Sequence, residues 1–183
     1  MKIVILDRDG VINQDSKDYI KTPAEWIPVG GSIQAIADLC AAGFKVVVAT
    51  NQSGLARKLF STDDLDAIHQ KLIKCVESAG GQIQGIFYCP HLPNEHCNCR
   101  KPKTGLLEQI EDKFQCSLRS VPFVGDSLKD VQAALAYGCK AMLVRTGNGE
   151  KSLVDLKDLG VVDFESFSDL AEAANSIISG KYD

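Results

Sequence analysis

The chain has 183 residues, 45% of them hydrophobic and 24% charged, with a formal net charge of −4. That size and composition predict one globular domain over residues 1–183, with a core that needs no disulfide staples. The acidic balance argues against nucleic acid or an acidic membrane surface as a partner. No apolar run is long enough to span a membrane, and Asp7 and Asp9 stand where a signal peptide needs apolar residues, so a cytoplasmic monomer is expected.

Ile3 to Leu6 is an unbroken apolar run, the pattern of a strand buried on both faces. It runs into Asp7-Arg8-Asp9-Gly10-Val11, where two carboxylates two residues apart can aim at one site and suit a hard cation such as Mg²⁺. Taken alone, the pair fits an ordinary Asx-type turn as well. Residues 13–31 are polar, contain Pro23 and Pro28, and read as a long loop. Ile33, Ile36, Ala37 and Cys40 then repeat at helical spacing and stop at Gly43. Lys45 to Ala49 predicts a second strand, followed by Thr50, Asn51, Gln52, Ser53 and Gly54. Such a strand end can cradle a phosphate on side chains and backbone N–H groups, or form a plain capped turn. Ser61 with Asp64 resembles a capping box and opens a helix to about Ala79.

Ile83 to Tyr88 predicts a third strand. A second long loop, residues 88–104, carries three prolines and three cysteines and ends on Arg100-Lys101-Pro102-Lys103, where a lysine can offset phosphoryl charge. A helix is expected over Thr104 to Phe114 and a strand over Val121 to Val124. Next comes Gly125-Asp126-Ser127-Leu128-Lys129-Asp130, in which Asp126 can either complete a metal site with Asp7 or cap a helix. Leu128 to Tyr137 reads as that helix, Ala141 to Val144 as a strand, Val161 to Phe164 as a weak sixth strand, and Ser168 to Ile178 as a last helix. Strands alternating with helices predict an α/β fold: a doubly wound, mostly parallel, Rossmann-like sheet with helices on both faces.

Each motif is weak alone, but all four fall in order at predicted strand ends or the loop between them. The ordered set resembles the haloacid dehalogenase-like phosphatases, whose pattern is D-x-D-x-[TV], a strand-end Ser or Thr, a Lys, and an acidic G-D-x-x-x-D. The resemblance implies that Asp7 attacks phosphorus and becomes an aspartyl phosphate, and that Asp9 protonates the leaving oxygen and then deprotonates water. On that account Asp9 should hold its proton more tightly than Asp7. Thr50 and Asn51, with Gln52 and Ser53 beside them, would bind the phosphoryl group and Lys101 would offset its charge. Asp7, Asp126 and the backbone carbonyl of Asp9 would hold Mg²⁺.

Cys89, His91, Cys97 and Cys99, with His96 spare, offer soft and borderline donors within eleven residues. They suit a closed and therefore structural tetrahedral zinc. The isolated Cys40, Cys75, Cys116 and Cys139 are expected to be small buried hydrophobes. With DRDGVIN, TNQSGLAR, CNCRKPKTG and VGDSLKD, the chain is most similar to the subfamily of heptose 1,7-bisphosphate phosphatases, which also holds histidinol-phosphate phosphatases. That resemblance implies removal of the C7 phosphate from a heptose bisphosphate, in the supply of activated heptose for lipopolysaccharide or other surface glycans. Histidinol phosphate is the alternative substrate. Heptose enzymes often carry Lys directly after the acidic-motif Asp; here the residue is Ser127. The intervals between motifs leave no room for a cap domain, so the two long loops should rim the cleft, with Arg57 and Arg100 as cations for a second phosphate.

Two other classes fit less well. A receiver domain carries its phospho-acceptor at the third strand, not the first. A zinc-dependent nucleic-acid module would interleave aromatic and basic residues, which this chain does not.

Overall fold

In the computed structural model, which describes residues 1–180, β1 (Ile3–Leu6) sits at the centre of a parallel sheet. Its side chains alternate between two apolar clusters. Ile3 and Ile5 enter one and Val4 and Leu6 the other, so the strand is buried on both faces. β2 (Lys45–Asn51) repeats the pattern, with Val46 and Val48 on one side and Val47 and Ala49 on the other. β3 (Ile83–Cys89), β4 (Pro122–Gly125), β5 (Lys140–Val144) and β6 (Glu165–Phe167) complete the order β3-β2-β1-β4-β5-β6. Every neighbouring pair is parallel.

Helices α1 (Ser32–Ala41), α2 (Thr62–Ser78) and α6 (Leu170–Ile178) cover one face. Helices α3 (Gly105–Phe114), α4 (Leu128–Tyr137) and α5 (Gly149–Asp158) cover the other. The doubly wound α/β class expected from the alternation is therefore present. Capping boxes open α2, from Ser61 with Asp64, and α4, from Ser127 with Asp130. Among the described residues no helix is long and apolar enough to cross a membrane.

Two expectations shift. The last strand is Glu165–Phe167, not Val161 to Phe164. Val161 and Phe164 pack on the core as half-buried loop residues, Val162 is exposed, and the ladder instead joins Met142, Leu143 and Val144 to the mostly polar Glu165, Ser166 and Phe167. An edge strand of this length needs one buried side chain, here Phe167, so it leaves almost no apolar pattern. Helix α5, which carries no clear periodicity, buries only Gly149, Ser152 and Leu156. The isolated cysteines also divide: Cys139 is buried, whereas Cys40, Cys75 and Cys116 are half-buried at the margins of the core.

The long loop between β1 and α1 is tied down at both ends. Val29 donates its backbone N–H to Ile12 (2.9 Å), Ser32 Oγ donates to the same carbonyl (2.6 Å), and Trp26 is fully buried. Lys71 of α2 donates to the carbonyls of Pro23 and Trp26, both at 2.7 Å, which fixes this loop beside the cleft.

Candidate active site

The strand order reverses beside β1, and a crevice forms there beyond the carboxyl ends of the strands. It is a cleft of about 480 Å³ lined by Asp7, Asp9, Thr50, Asn51, Gln52, Arg100, Lys101 and Asp126 from the predicted motifs. Tyr19, Ser127, Lys129, Asn148 and Lys151 complete much of the rim. Ser53 is buried and Arg57 exposed, and neither lines the cleft.

Asp7 leaves β1 with its backbone N–H on the carbonyl of Val124 at 2.9 Å, which locks the β1 and β4 ends together. Lys101, almost fully buried, reaches Asp7 Oδ1 at 3.0 Å, Asp130 Oδ1 at 2.6 Å and the carbonyl of Ala49 at 2.8 Å. Asn51 holds the lysine's backbone on both sides, accepting from its N–H and donating to its carbonyl, each at 3.1 Å. A lysine at the end of a long loop is thus fixed against the end of β2. Its pKa is raised: burial works against the charge, but Asp130 and Asp7 more than compensate.

Asp7, Asp126 and Asp130 place carboxylate oxygens within 4.8 Å of one another. Burial pushes Asp7 well above the usual carboxylate range, reinforced by Asp130 and partly offset by Lys101. Burial and Asp130 push Asp126 up to about 7. Three crowded carboxylates against one ammonium leave surplus negative charge that a divalent cation would neutralise. Asp130 uses both oxygens, Oδ1 on Lys101 and Oδ2 in its own helix cap, whereas Asp7 meets its partners on Oδ1 and Asp126 on Oδ2, which leaves each a second oxygen to ligate. Gly10, at φ +81°, brings the Asp9–Gly10 peptide against Asp126, where a Cβ would lie 2.1 Å from Asp126 Oδ2. Hard oxygen donors of this kind fit Mg²⁺.

Asp9 behaves differently. Burial pushes its pKa up, but the Arg8 guanidinium and hydrogen bonds from Asn13 and Gln52 outweigh it and the net direction is down. The expectation that Asp9 holds its proton more tightly than Asp7 is therefore reversed in the metal-free chain. The reason is positional: Arg8 turns back onto Asp9, whereas Asp7 faces two other carboxylates.

Thr50 Oγ1 accepts from Gln52 Nε2 at 2.9 Å, and the same nitrogen donates to Asp9 Oδ2 at 2.9 Å. Ser127 Oγ caps α4, and Lys129, two residues on, lines the cleft together with Arg100. Arg100 Nη1 donates to the carbonyl of His91 at 3.2 Å, which ties it to the cysteine-rich loop.

In that loop the donor atoms of Cys89, His91, Cys97 and Cys99 lie within 4.8 Å of one another. The Cys89–Cys97 sulfurs are 3.7 Å apart, and His91 Nδ1 is 3.5 Å from Cys89 Sγ and 3.3 Å from Cys99 Sγ. A tetrahedron with Zn–S of about 2.3 Å and Zn–N of about 2.1 Å has edges of roughly 3.8 and 3.6 Å, so the donor set fits zinc. His96 is exposed and lies outside the cluster.

Sequence reasoning passed over Arg8, Asn13, Tyr19, His69, Asn148 and Lys151. Arg8 and Asn13 lie inside the DRDGVIN string, but only folding reveals that both are fully buried. Asn148 holds Asp126 through its backbone N–H at 2.8 Å, and Thr146 Oγ1 donates to the carbonyl of Gly10 at 2.6 Å. The second of these contacts joins residues 136 positions apart.

Among known proteins, the HAD-hydrolase-like family matches residues 98–173. The D-glycero-beta-D-manno-heptose-1,7-bisphosphate 7-phosphatase of Pseudomonas putida is 50% identical over 179 residues, covering 97% of this chain and all of that one. That of Bordetella bronchiseptica is 54% identical over 153 residues, 84% of this chain and 86% of its own length. The crystal structure of a D,D-heptose 1,7-bisphosphate phosphatase from B. bronchiseptica, complexed with magnesium and phosphate, superposes with a TM-score of 0.94. It shares 48% identity and covers 98% of this chain and 99% of its own.

Proposed function

The chain belongs to the haloacid dehalogenase-like family of heptose-1,7-bisphosphate 7-phosphatases, and from that premise we propose that it removes the C7 phosphate of D-glycero-D-manno-heptose 1,7-bisphosphate. The product would supply activated heptose for lipopolysaccharide or a related surface glycan. The reading extends to the whole chain as one catalytic domain, acting as a cytoplasmic monomer. The observation that carries it is Lys101 Nζ, 3.0 Å from Asp7 Oδ1 at the end of β1, with Asp126 alongside.

An Asp7 oxygen attacks phosphorus, the bond to the C7 oxygen breaks, and Asp9, whose proton affinity the negative charge of the bound phosphoryl group raises so that it takes up a proton on substrate binding, delivers that proton to the C7 oxygen. Water then attacks the aspartyl phosphate and loses a proton to Asp9, phosphate leaves, and Asp7 is regenerated. Thr50 and Asn51 orient the phosphoryl oxygens, and Lys101 offsets charge that grows on them. Mg²⁺, held by Asp7, Asp126 and the carbonyl of Asp9, supplies further neutralisation that lets two anions approach. Cys89, His91, Cys97 and Cys99 would hold a structural zinc, which would brace the loop that carries Arg100 and Lys101. Arg100, which lines the cleft with Lys129, receives the second phosphate on this reading, and its fixed fork suits a bidentate contact.

The test compares kcat/KM on heptose 1,7-bisphosphate and on histidinol phosphate, with Asp7→Asn as the inactive control. A faster reaction on histidinol phosphate overturns the substrate, and turnover by Asp7→Asn within tenfold of wild type overturns the mechanism. Arg100→Ala should lower kcat/KM on the bisphosphate about 30- to 150-fold, and far less on p-nitrophenyl phosphate, which has no second phosphate to hold.

A further inference from the structure

Arginine is almost never wholly buried without partners, because its charge must be compensated. Arg8 is wholly buried, and it stands between the two carboxylates that carry the chemistry. Its guanidinium does not face Asp7. Nε reaches Asp9 Oδ1 at 3.0 Å, and Nη2 spans both Asp9 oxygens at 2.8 and 3.0 Å. Asn13, also buried, donates to Oδ1 at 2.9 Å, and Gln52 donates to Oδ2 at 2.9 Å. These donors hold both oxygens, while part of the Asp9 side chain remains open to the cleft.

The far edge of the guanidinium is also held. Nη1 lies 3.2 Å from Nε2 of His69, a buried residue of α2 whose ring leans on Tyr88 with centroids 6.0 Å apart. Burial, and then Arg8, push the His69 pKa down to about 4, so the ring is neutral near pH 7, and because the guanidinium can only donate, the Nε2 that faces Nη1 is the accepting nitrogen. His69 and Arg8 thus form a rigid strut that ends on the Asp9 carboxylate.

We propose that Arg8, braced by His69, is a positioning residue: it fixes the Asp9 carboxylate in the one orientation from which a proton reaches the leaving oxygen. This rests on the aspartyl-phosphate reading above. When Asp7 takes the phosphoryl group, the P–O bond to the sugar breaks and the leaving alkoxide takes its proton from Asp9. A sugar alkoxide is a poor leaving group without that proton, whereas p-nitrophenolate departs as a stable anion. Mispositioning Asp9 should therefore harm the two substrates unequally. The difference should show in kcat/KM, which covers the steps up to cleavage of the leaving group. It should not show in kcat where the shared hydrolysis of aspartyl phosphate limits turnover.

The experiment measures kcat/KM for heptose 1,7-bisphosphate and p-nitrophenyl phosphate in wild type, Arg8→Met and Arg8→Lys. Arg8→Met should lose about 100-fold on the sugar phosphate and less than about fivefold on the aryl phosphate, the scale of a general-acid contribution. Arg8→Lys, which keeps the charge without the fork, should fall between. Losses that agree within about threefold on both substrates would overturn the proposal, as would a sugar-phosphate rate within about threefold of wild type. If Arg8→Met does not fold, His69→Leu decides. It should show the same split at about tenfold, and His69→Gln, whose Oε1 can accept from Nη1, should recover most of it; no split in His69→Leu overturns the proposal. A wild-type enzyme that ignores heptose bisphosphate but cleaves another alkyl phosphate would sink the substrate reading alone, and the split would then be read on that ester.

Discussion

Replacing Lys101 by Met removes an ammonium that contacts Asp7 at 3.0 Å and Asp130 at 2.6 Å while keeping a side chain of similar length. At an effective dielectric constant of about 20, the two contacts carry roughly 5.5 and 6.4 kcal/mol of Coulomb attraction. Most of that offsets the cost of burying the charges, and breaking a buried pair from one side typically costs about 3–5 kcal/mol. With a urea dependence near 2 kcal/mol per molar, the unfolding midpoint should fall by about 1.5–2.5 M. The assay is urea unfolding followed by circular dichroism at neutral pH in magnesium-free buffer. The deficit should also depend on pH. Asp7, already raised, moves further above its unfolded value of about 3.9 when stripped of Lys101, so its contribution is present at low pH and lost as pH rises through the folded value. The deficit should therefore shrink toward pH 5. A midpoint within about 0.5 M of wild type, or a deficit that grows on acidification, would refute the assignment of Lys101 as the shared counterion of these carboxylates.

Asp126, at about 7, should make the wild type without added metal lose stability as pH rises from 5 to 8, by at most about 4 kcal/mol because Asp7 shares the same protons. Saturating Mg²⁺ should flatten that profile, and a flat profile without the metal would contradict the pKa direction. The purified protein should hold about one zinc per chain by metal analysis, and Cys97→Ser should lose it. The accompanying loss of about 4 kcal/mol or more would lower Tm by about 8–16 °C, read by calorimetry. At Gly147, φ +57°, a Cβ would lie 2.3 Å from Asp126 Oδ2 and 2.6 Å from the Gly10 Cα, so Gly147→Ala must displace the Asp126 carboxylate proposed to hold Mg²⁺. The Mg²⁺ concentration for half-maximal rate should rise about tenfold in a metal titration of activity, and an unchanged value would mean the loop yields freely.

Much of the molecule was legible before folding because its signals are local. A strand buried on both faces must be apolar at every position, so Ile3–Leu6 and Val46–Ala49 announce themselves, and each strand end shows which polar residues reach the crevice. The cysteine–histidine cluster was legible for the same reason: Cys89, His91, Cys97 and Cys99 are close in sequence, and thiol and imidazole chemistry limits what they can do together. The edge strand β6 and helix α5 were not legible, since each buries too few side chains to impose a period.

What the tertiary structure decided is electrostatic and long-range. The order of the two proton affinities, Asp7 up and Asp9 down, depends on Arg8 turning toward one carboxylate and on Asp126 and Asp130 arriving beside the other from more than a hundred residues away. The direction of Arg8, its brace at His69, and the hold of Asn148 on Asp126 leave no pattern along the chain. Residue types and spacing specify which groups meet at a strand end. The field each group feels depends on distances of a few ångströms in a buried site, and those exist only once the sheet has brought its strand ends together.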